Sequence, residues 1–453
     1  MMRKLFFLIP ALVATLLVVQ LTAQNADITS WINKQGGKPA LAVTDFRGGA
    51  GAEALMAPFN STLFGDLQNS AMFDMKPKSL FPLANPQRPE DLRPEDNKQG
   101  YALQDWSGAP VGASHLVFGY TSVVNGVLVL YGYVYDARQT NIQSAQLLYG
   151  RYTGSVDQAG AIKVAHEFAN DIIQKFGGTG SLLGSRIYFV SDRGAAKGVQ
   201  EIWAMDWDGN NQKQLTNLKS LAITPGISAD GTRLAFTSYA TGRPGISLLN
   251  TETGRAVSFY NQQASINTTP NFSPDGKLIY YASSASGSTQ IVVAGVDGQG
   301  FRRVSRRNAV EVEPKVNPKN PGTLLFVSGP GSQQIYRMNT DGAGVERITN
   351  GEGEASNPAW HPDGQHIVFS STAGYARGGW NIFVMDIASR EMVQLTHGEG
   401  KNENPTWAPD GLHIAFASTR SGRSQIYTML ANGTQVKPLT QQGTNKYPVW
   451  GSK

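Results

Sequence analysis

The chain has 453 residues, a formal net charge of +5 and no cysteine. That length allows two or three domains, and the absent thiols exclude disulfides and thiolate zinc centres. Fifty glycines and ample aromatics suit a turn-rich β protein with a real core, while a mild basic excess gives no argument for nucleic acid.

Arg3 and Lys4 precede an apolar run from Leu5 to Val19, followed by small residues at Thr22 and Ala23. This predicts a secretory signal over residues 1–23, cleaved after Ala23, with no membrane span in the mature chain. Loss of its two basic residues takes the net charge from +5 to +3.

Residues 24–180 predict a small α/β domain. Ala40–Thr44 reads as a strand. Leu55, Phe59, Leu63 and Leu67 recur at helical spacing, which places a helix within 52–69 and confines Pro58 to its first turn. Residues 83–100, with Pro86, Pro89 and Pro94, read as a surface loop. The runs 115–124 and 127–136 flank Asn125-Gly126, a hairpin signal. A third strand is expected over 143–152. Ile162, Ala165, Phe168, Ile172 and Phe176 mark a second amphipathic helix, and the glycine-rich stretch 177–184 joins this domain to the next.

From residue 185 to 453 the chain repeats. One copy reads Asn404-Pro405-Thr406-Trp407, a turn at Asp410-Gly411, His413 to Ser418, a break at Ser421-Gly422, Gln425 to Met429, a turn at Asn432-Gly433, then Val436 to Thr440. The copy before it runs from Asn357-Pro358-Ala359-Trp360 to Thr396. The anchor proline recurs at 225, 270, 314, 358, 405 and 448, in steps of 45, 44, 44, 47 and 43 residues. Four apolar-alternating runs per copy at this period predict β-propeller blades. Three strand-like runs stand before Pro225, and one orphan strand, Tyr447–Trp450, follows the last copy. Three plus one make a blade. The expected fold is therefore mainly β, a six-bladed propeller closed by the C-terminal strand, since an open ring would leave unpaired edges.

Motifs for chemistry are missing. There is no His-Glu-x-x-His, no Gly-x-Ser-x-Gly and no Walker loop. His361 and His366 flank the Asp363-Gly364 turn and read as solvated residues. No enzyme activity, cofactor or metal is expected. What remains are the segments entering the innermost strands: Ile266 to Thr269, Val310 to Glu313, Glu354 to Asn357, Asn402 to Asn404 and Thr444 to Tyr447. In a propeller these converge on one channel mouth. Glu311, Glu313, Glu354 and Glu403 are expected to make that mouth acidic, suited to a cation or to a basic segment of a partner. Phe272, Trp360, Trp407 and Trp450 read as blade core.

The Pro-x-Trp, Pro-Asp-Gly, Ile-Ala-Phe, Ile-Tyr and Leu-Thr block, repeated after an exported α/β domain, resembles the TolB family of the periplasmic Tol-Pal system. Phe272-Ser-Pro-Asp-Gly-Lys-Leu278 and Trp407-Ala-Pro-Asp-Gly411 carry the resemblance, with Gly65 to Ser70 and His115 to Gly119 in the first domain. The resemblance implies a periplasmic, monomeric, non-enzymatic adaptor that binds the lipoprotein Pal through the propeller mouth and TolA through its N-terminal segment, and supports outer-membrane integrity in cell division. By position, the Pal-facing residues would be Ile266, Asn267, Thr269, Glu311, Val312 and Glu313, with Ser356, Asn357, Glu403, Asn404, Asn445 and Tyr447 in the following blades. The family often has His, Ala and Thr where Ile266, Thr269 and Val312 stand. Gln24, Asp27, Ile28 and Trp31 are the candidates for TolA. Two other readings remain: a ligand- or cation-binding propeller of another periplasmic system, and a peptidase-type propeller whose catalytic partner is a separate chain.

Overall fold

The structure is a computed structural model describing residues 38–49, 51–93, 100–177, 182–329, 332–351, 353–374 and 379–452. The expected signal segment and Gln24, Asp27, Ile28 and Trp31 lie outside the described residues. The chain divides into two compact units that meet at Gly184 and Ser185.

In the N-terminal unit, strand Ala40–Val43 pairs in parallel with Asp74–Met75 on one side and with His115–Val124 on the other. His115–Val124 and Val127–Asp136 form a hairpin, and Gln146–Gly154 adds the last strand. Asn125 and Gly126 both take positive φ, 52° and 75°, as the tight hairpin turn requires. The first long helix is Met56–Asn69, preceded by a 3-10 turn at Glu53–Leu55. Pro58 thus falls in its first turn, where no backbone donor is needed. The second helix, Gln158–Lys175, is capped by the Asp157 side chain on the Gly160 N–H.

The third strand starts later than expected. Asn141 accepts from the N–H groups of Gln143 and Ser144 and so starts a short helix, Ile142–Ala145, where the apolar pattern alone reads as strand. Local capping outcompetes the alternation there. Around Trp106, fully buried, pack Leu103, Leu116, Phe118 and Tyr135.

The second unit is six four-stranded antiparallel sheets. Five are built from consecutive strands, beginning at Ala222, Asn267, Glu311, Ala355 and Asn402; we number these blades 2 to 6. Blade 1 takes Arg186–Ser191, Glu201–Asp206 and Lys213–Gln214 from the start of the unit and Asn445–Gly451 from the end of the chain. The expected closure is present. The Trp450 Nε1–H donates to Ser185 Oγ at 2.8 Å, pinning the last strand beside the first residue of the unit.

Core clusters form where neighbouring sheets face each other. Between blades 5 and 6, for example, Val368, Ile382 and Val384 meet Trp407, Ile414 and Phe416. Phe272, Trp407 and Trp450 are buried, and Trp360 packs against the neighbouring core while its indole N–H donates to the Lys315 carbonyl.

The recurring Leu-Thr pair has a structural reason. The N–H groups of Ile202, Ile291, Ile335, Ile382 and Ile426 donate to the hydroxyls of Thr216, Ser305, Thr349, Thr396 and Thr440 at 2.8 to 3.0 Å. The threonine hydroxyls of four of these pairs donate in turn to Glu201, Gln334, Asn381 and Gln425. A buried hydroxyl thus ties the outermost segment of a blade to its third strand and gives that isoleucine N–H a partner.

Candidate functional site

Each innermost strand breaks its ladder at the same point. The pairing with the second strand shifts register in all six sheets, across the residue before the anchor proline. These residues, Thr224, Thr269, Glu313, Asn357, Asn404 and Tyr447, all have φ between 50° and 55°. Such a conformation is costly for any residue with a Cβ, and most of all for threonine, at about 1–3 kcal/mol each. Its effect is that of a β-bulge: the strand bends and one side chain is re-aimed. All six left-handed residues line one cavity, together with Lys315, Ala359, Thr406, Val449 and the prolines that follow five of the six bulges. The ring of bulges builds the propeller channel.

Hydrogen bonds pass from blade to blade around part of this ring. The Thr269 N–H donates to Thr237 Oγ1 at 3.1 Å, and the Glu313 N–H to Thr269 Oγ1 at 3.1 Å. The Asn357 N–H then donates to Glu313 Oε2 at 2.7 Å, and Asn357 Nδ2 to Glu313 Oε1 at 2.9 Å. From blade 3 to blade 5, each left-handed residue presents the acceptor for the backbone donor of the next. The irregular backbone that forms the mouth is thereby satisfied without secondary-structure partners.

The channel carries one pair of opposite charges. Glu313 and Lys315 both line the narrow channel and are only partly exposed. Burial pushes the Glu313 carboxyl up, opposed by Lys315 and the Asn357 donors. Burial pushes the Lys315 ammonium down, opposed by Glu313. Burial also raises the Tyr447 hydroxyl, with Glu313 and Glu403 adding to the shift.

The sequence-derived site therefore divides. Thr269, Glu313, Asn357, Asn404 and Tyr447 meet in the channel. Ile266 is exposed outside it, and Glu403 and Val312 are partly buried, Val312 against the cores on both sides of its blade. Asn267, Ser356 and Asn445 are buried, with Asn267 accepting from Ser283 and Asn445 donating to Gln425.

Glu311 corrects the expected acidic rim. It is the first residue of strand Glu311–Val316, fully buried, with Arg307 Nε 4.0 Å from its carboxylate. Burial raises its carboxyl, with Ser305 and Arg307 opposing. It stands where blades 3 and 6 place Asn267 and Asn402, buried side chains that brace the strand start. The bulge at Glu313 interrupts the period-two alternation, so Glu311 points into the blade although it stands two positions before a channel residue.

Lys315 and Thr224 were missed. Lys315 follows the anchor proline, and opposite charges on either side of that proline, at Glu313 and Lys315, are the pattern that could have flagged it.

The two histidines are a second correction. His361 and His366 are 3% and 7% exposed, not solvated. The His361 Nε2–H donates to the Gly411 carbonyl of the next blade at 2.9 Å, and its ring packs edge-on against Trp407.

A family model described as the TolB beta propeller domain matches residues 173–374 and 346–453 of the chain. Among curated proteins, the chain is similar to the Protein TolB homolog of Chlorobaculum tepidum, 33% identical over 210 residues covering 46% of each chain. It is also similar to the Tol-Pal system protein TolB of Desulfosudis oleivorans, 32% identical over 197 residues covering 43% of this chain and 42% of that protein. The matches span less than half the length of these curated relatives, 38% to 46%. The crystal structure of TolB from Acinetobacter baumannii superposes with a TM-score of 0.74 over 91% of this chain and 96% of that one, at 22% identity. At that identity the likeness speaks for the fold of both units and the order in which they occur.

Proposed function

We propose, from the premise that this chain belongs to the TolB β-propeller family, that it is the periplasmic propeller component of a Tol-Pal system and acts by binding rather than by catalysis. Its partners would be a Pal-type lipoprotein at the channel mouth and TolA at the N-terminal segment that includes Gln24, Asp27, Ile28 and Trp31. The proposed role is maintenance of the outer membrane's attachment during cell division.

The observation that carries the place of Pal binding is the ring of six left-handed residues. Strained backbone is retained where surrounding structure over-determines it, and such positions cluster at functional sites. The ring supports a rigid, pre-organised polar mouth, which lowers the entropic cost of capture. Thr269, Glu313, Asn357, Asn404 and Tyr447 are the residues we place in contact with the partner, flanked by exposed Ile266 and by Glu403. Asn267, Glu311, Ser356 and Asn445 support them from within the blades.

The test is a pull-down of the mature chain from an envelope extract, with bound proteins identified by mass spectrometry. Recovery of a Pal-type lipoprotein, lost on substitution of Glu403 and Asn404, is the expected result. Recovery of a hydrolase, or of no envelope lipoprotein, would overturn it.

A further inference from the structure

In blades 2, 3, 5 and 6 the turn between the first and second strands is built on one aspartate, and a second side chain helps it. In blades 2 and 3, Ser228 and Ser273 donate their hydroxyls to Asp230 and Asp275. In blade 6 the corresponding position is Ala408, and Asp410 faces His413 Nδ1 at 2.7 Å. Blade 5 differs from all three, because both a preceding and a following histidine meet the same carboxylate.

His361 Nδ1 lies 2.9 Å and His366 Nδ1 2.7 Å from a single oxygen, Asp363 Oδ2. The other oxygen, Oδ1, is held by the N–H groups of Gln365 and His366, so the carboxylate is fixed in place. The far nitrogens of both rings face oxygen acceptors. His361 Nε2 is 2.9 Å from the Gly411 carbonyl, which can only accept, so this nitrogen carries a hydrogen. His366 Nε2 stands 3.5 Å from Asp386 Oδ2.

With its hydrogen on Nε2, His361 has Nδ1 as an acceptor, which the Asp363 N–H reaches at 3.1 Å, and the Nδ1 atoms of both rings converge on Asp363 Oδ2. A cation at the point of convergence satisfies all three donors at once.

We propose that His361, Asp363 and His366 form a site for a divalent transition-metal ion of the zinc class. Their ligand atoms lie within 4.8 Å of one another. Two imidazoles and one carboxylate suit zinc and its neighbours, whereas calcium and magnesium call for oxygen donors throughout. Metal-bound histidines commonly direct their second nitrogen to a carbonyl or carboxylate, which fixes the ring and its tautomer. Gly411 and Asp386 take those roles here. Asp363 is the partly exposed member of the cluster and gives the ion its way in and a water its coordination position. Because His361 is tied to Gly411, a bound ion clamps blade 5 to blade 6.

The test uses the full, untagged chain stripped with a chelator and dialysed against micromolar Zn²⁺. Bound metal is counted by elemental analysis, and Co²⁺ substitution is followed by its visible absorption. Wild type should retain one ion per chain, give a cobalt spectrum with imidazole ligation, and melt at a higher temperature with zinc than without. His361→Ser, which restores the serine of blades 2 and 3, should lose the ion and the zinc-dependent melting shift. Asp386→Asn, one shell out, should weaken binding about 10–100-fold. His413→Ser, in the two-member pair of blade 6, should change neither. Should His361→Ser fail to fold, the contrast between Asp386→Asn and His413→Ser reads the same question. A wild-type chain that stays metal-free, or equal losses from the blade 5 and blade 6 variants, overturns the proposal.

Discussion

The backbone N–H of Asn357 donates to Glu313 Oε2 at 2.7 Å, across the boundary between two blades, and both residues hold left-handed backbone conformations. The glutamate is therefore part of the wall as well as part of the surface. Removing it takes away the acceptor for two donors of Asn357. Glu313→Ala should cost about 1–3 kcal/mol, the penalty for leaving partly buried donors unpaired. Glu313→Gln, which keeps one acceptor oxygen, should cost less. Urea denaturation of the two variants checks the order.

Lys315 gives a prediction with a pH sign. Lys315→Met leaves the Glu313 carboxylate without its neighbouring cation and should cost about 1–3 kcal/mol at neutral pH. The Glu313 carboxyl is already raised by burial, and losing Lys315 raises it further. A raised carboxyl contributes stability that is fully present below its unfolded value of 4.5 and is lost as pH rises through the folded value. The deficit of Lys315→Met should therefore be small near pH 4 and grow toward pH 7. Glu313→Gln combined with Lys315→Met should recover most of the loss, since two neutral groups need no mutual compensation. A deficit independent of pH would show that the two charges are not coupled.

Glu311 and Glu403 separate burial from recognition. Glu311→Lys places a cation in a fully buried position facing Arg307, and should destabilise by roughly 3–5 kcal/mol. Glu403→Lys changes a partly exposed side chain and should shift stability by no more than about 0.5 kcal/mol. If the proposed Pal-type lipoprotein binds at the mouth, its effect should instead appear in that partner's capture rate, which rim charges steer. Thermal melting and surface-binding kinetics, measured on both variants, distinguish the two roles.

The closing strand is expected to be indispensable. Trp450 is 6% exposed, pairs across to Ile187 and donates to Ser185. Trp450→Ala should cost about 3–5 kcal/mol, as large aromatic truncations in a core do. Ending the chain before Asn445 removes the innermost strand of blade 1 and should abolish the cooperative melting of the propeller altogether. A truncated chain with the wild-type transition would mean that the ring does not need its seam.

Much of this protein is readable in one dimension. The spacing of Pro225, Pro270, Pro314, Pro358, Pro405 and Pro448, with the turn pairs between them, is enough to predict blades, their number and the closing strand. Turn residues, alternation and repeat length are local properties, and the chain carries them without reference to its neighbours. The same holds for Asn125-Gly126 and for the periodic faces of helices Met56–Asn69 and Gln158–Lys175.

What the sequence left undecided is which polar residues of the innermost strands face inward to the blade and which face the channel. One bulge per strand shifts the alternation, so Glu311 is buried while Glu313 meets Asn357 and Lys315 in the channel wall. Likewise, His361 and His366 flank a turn that reads as solvated, and only the packing of blade 6 against blade 5 closes over them. Side-chain exposure in a propeller is set by the register of each bulge and by the adjoining sheet, and those are relations between residues some 45 positions apart.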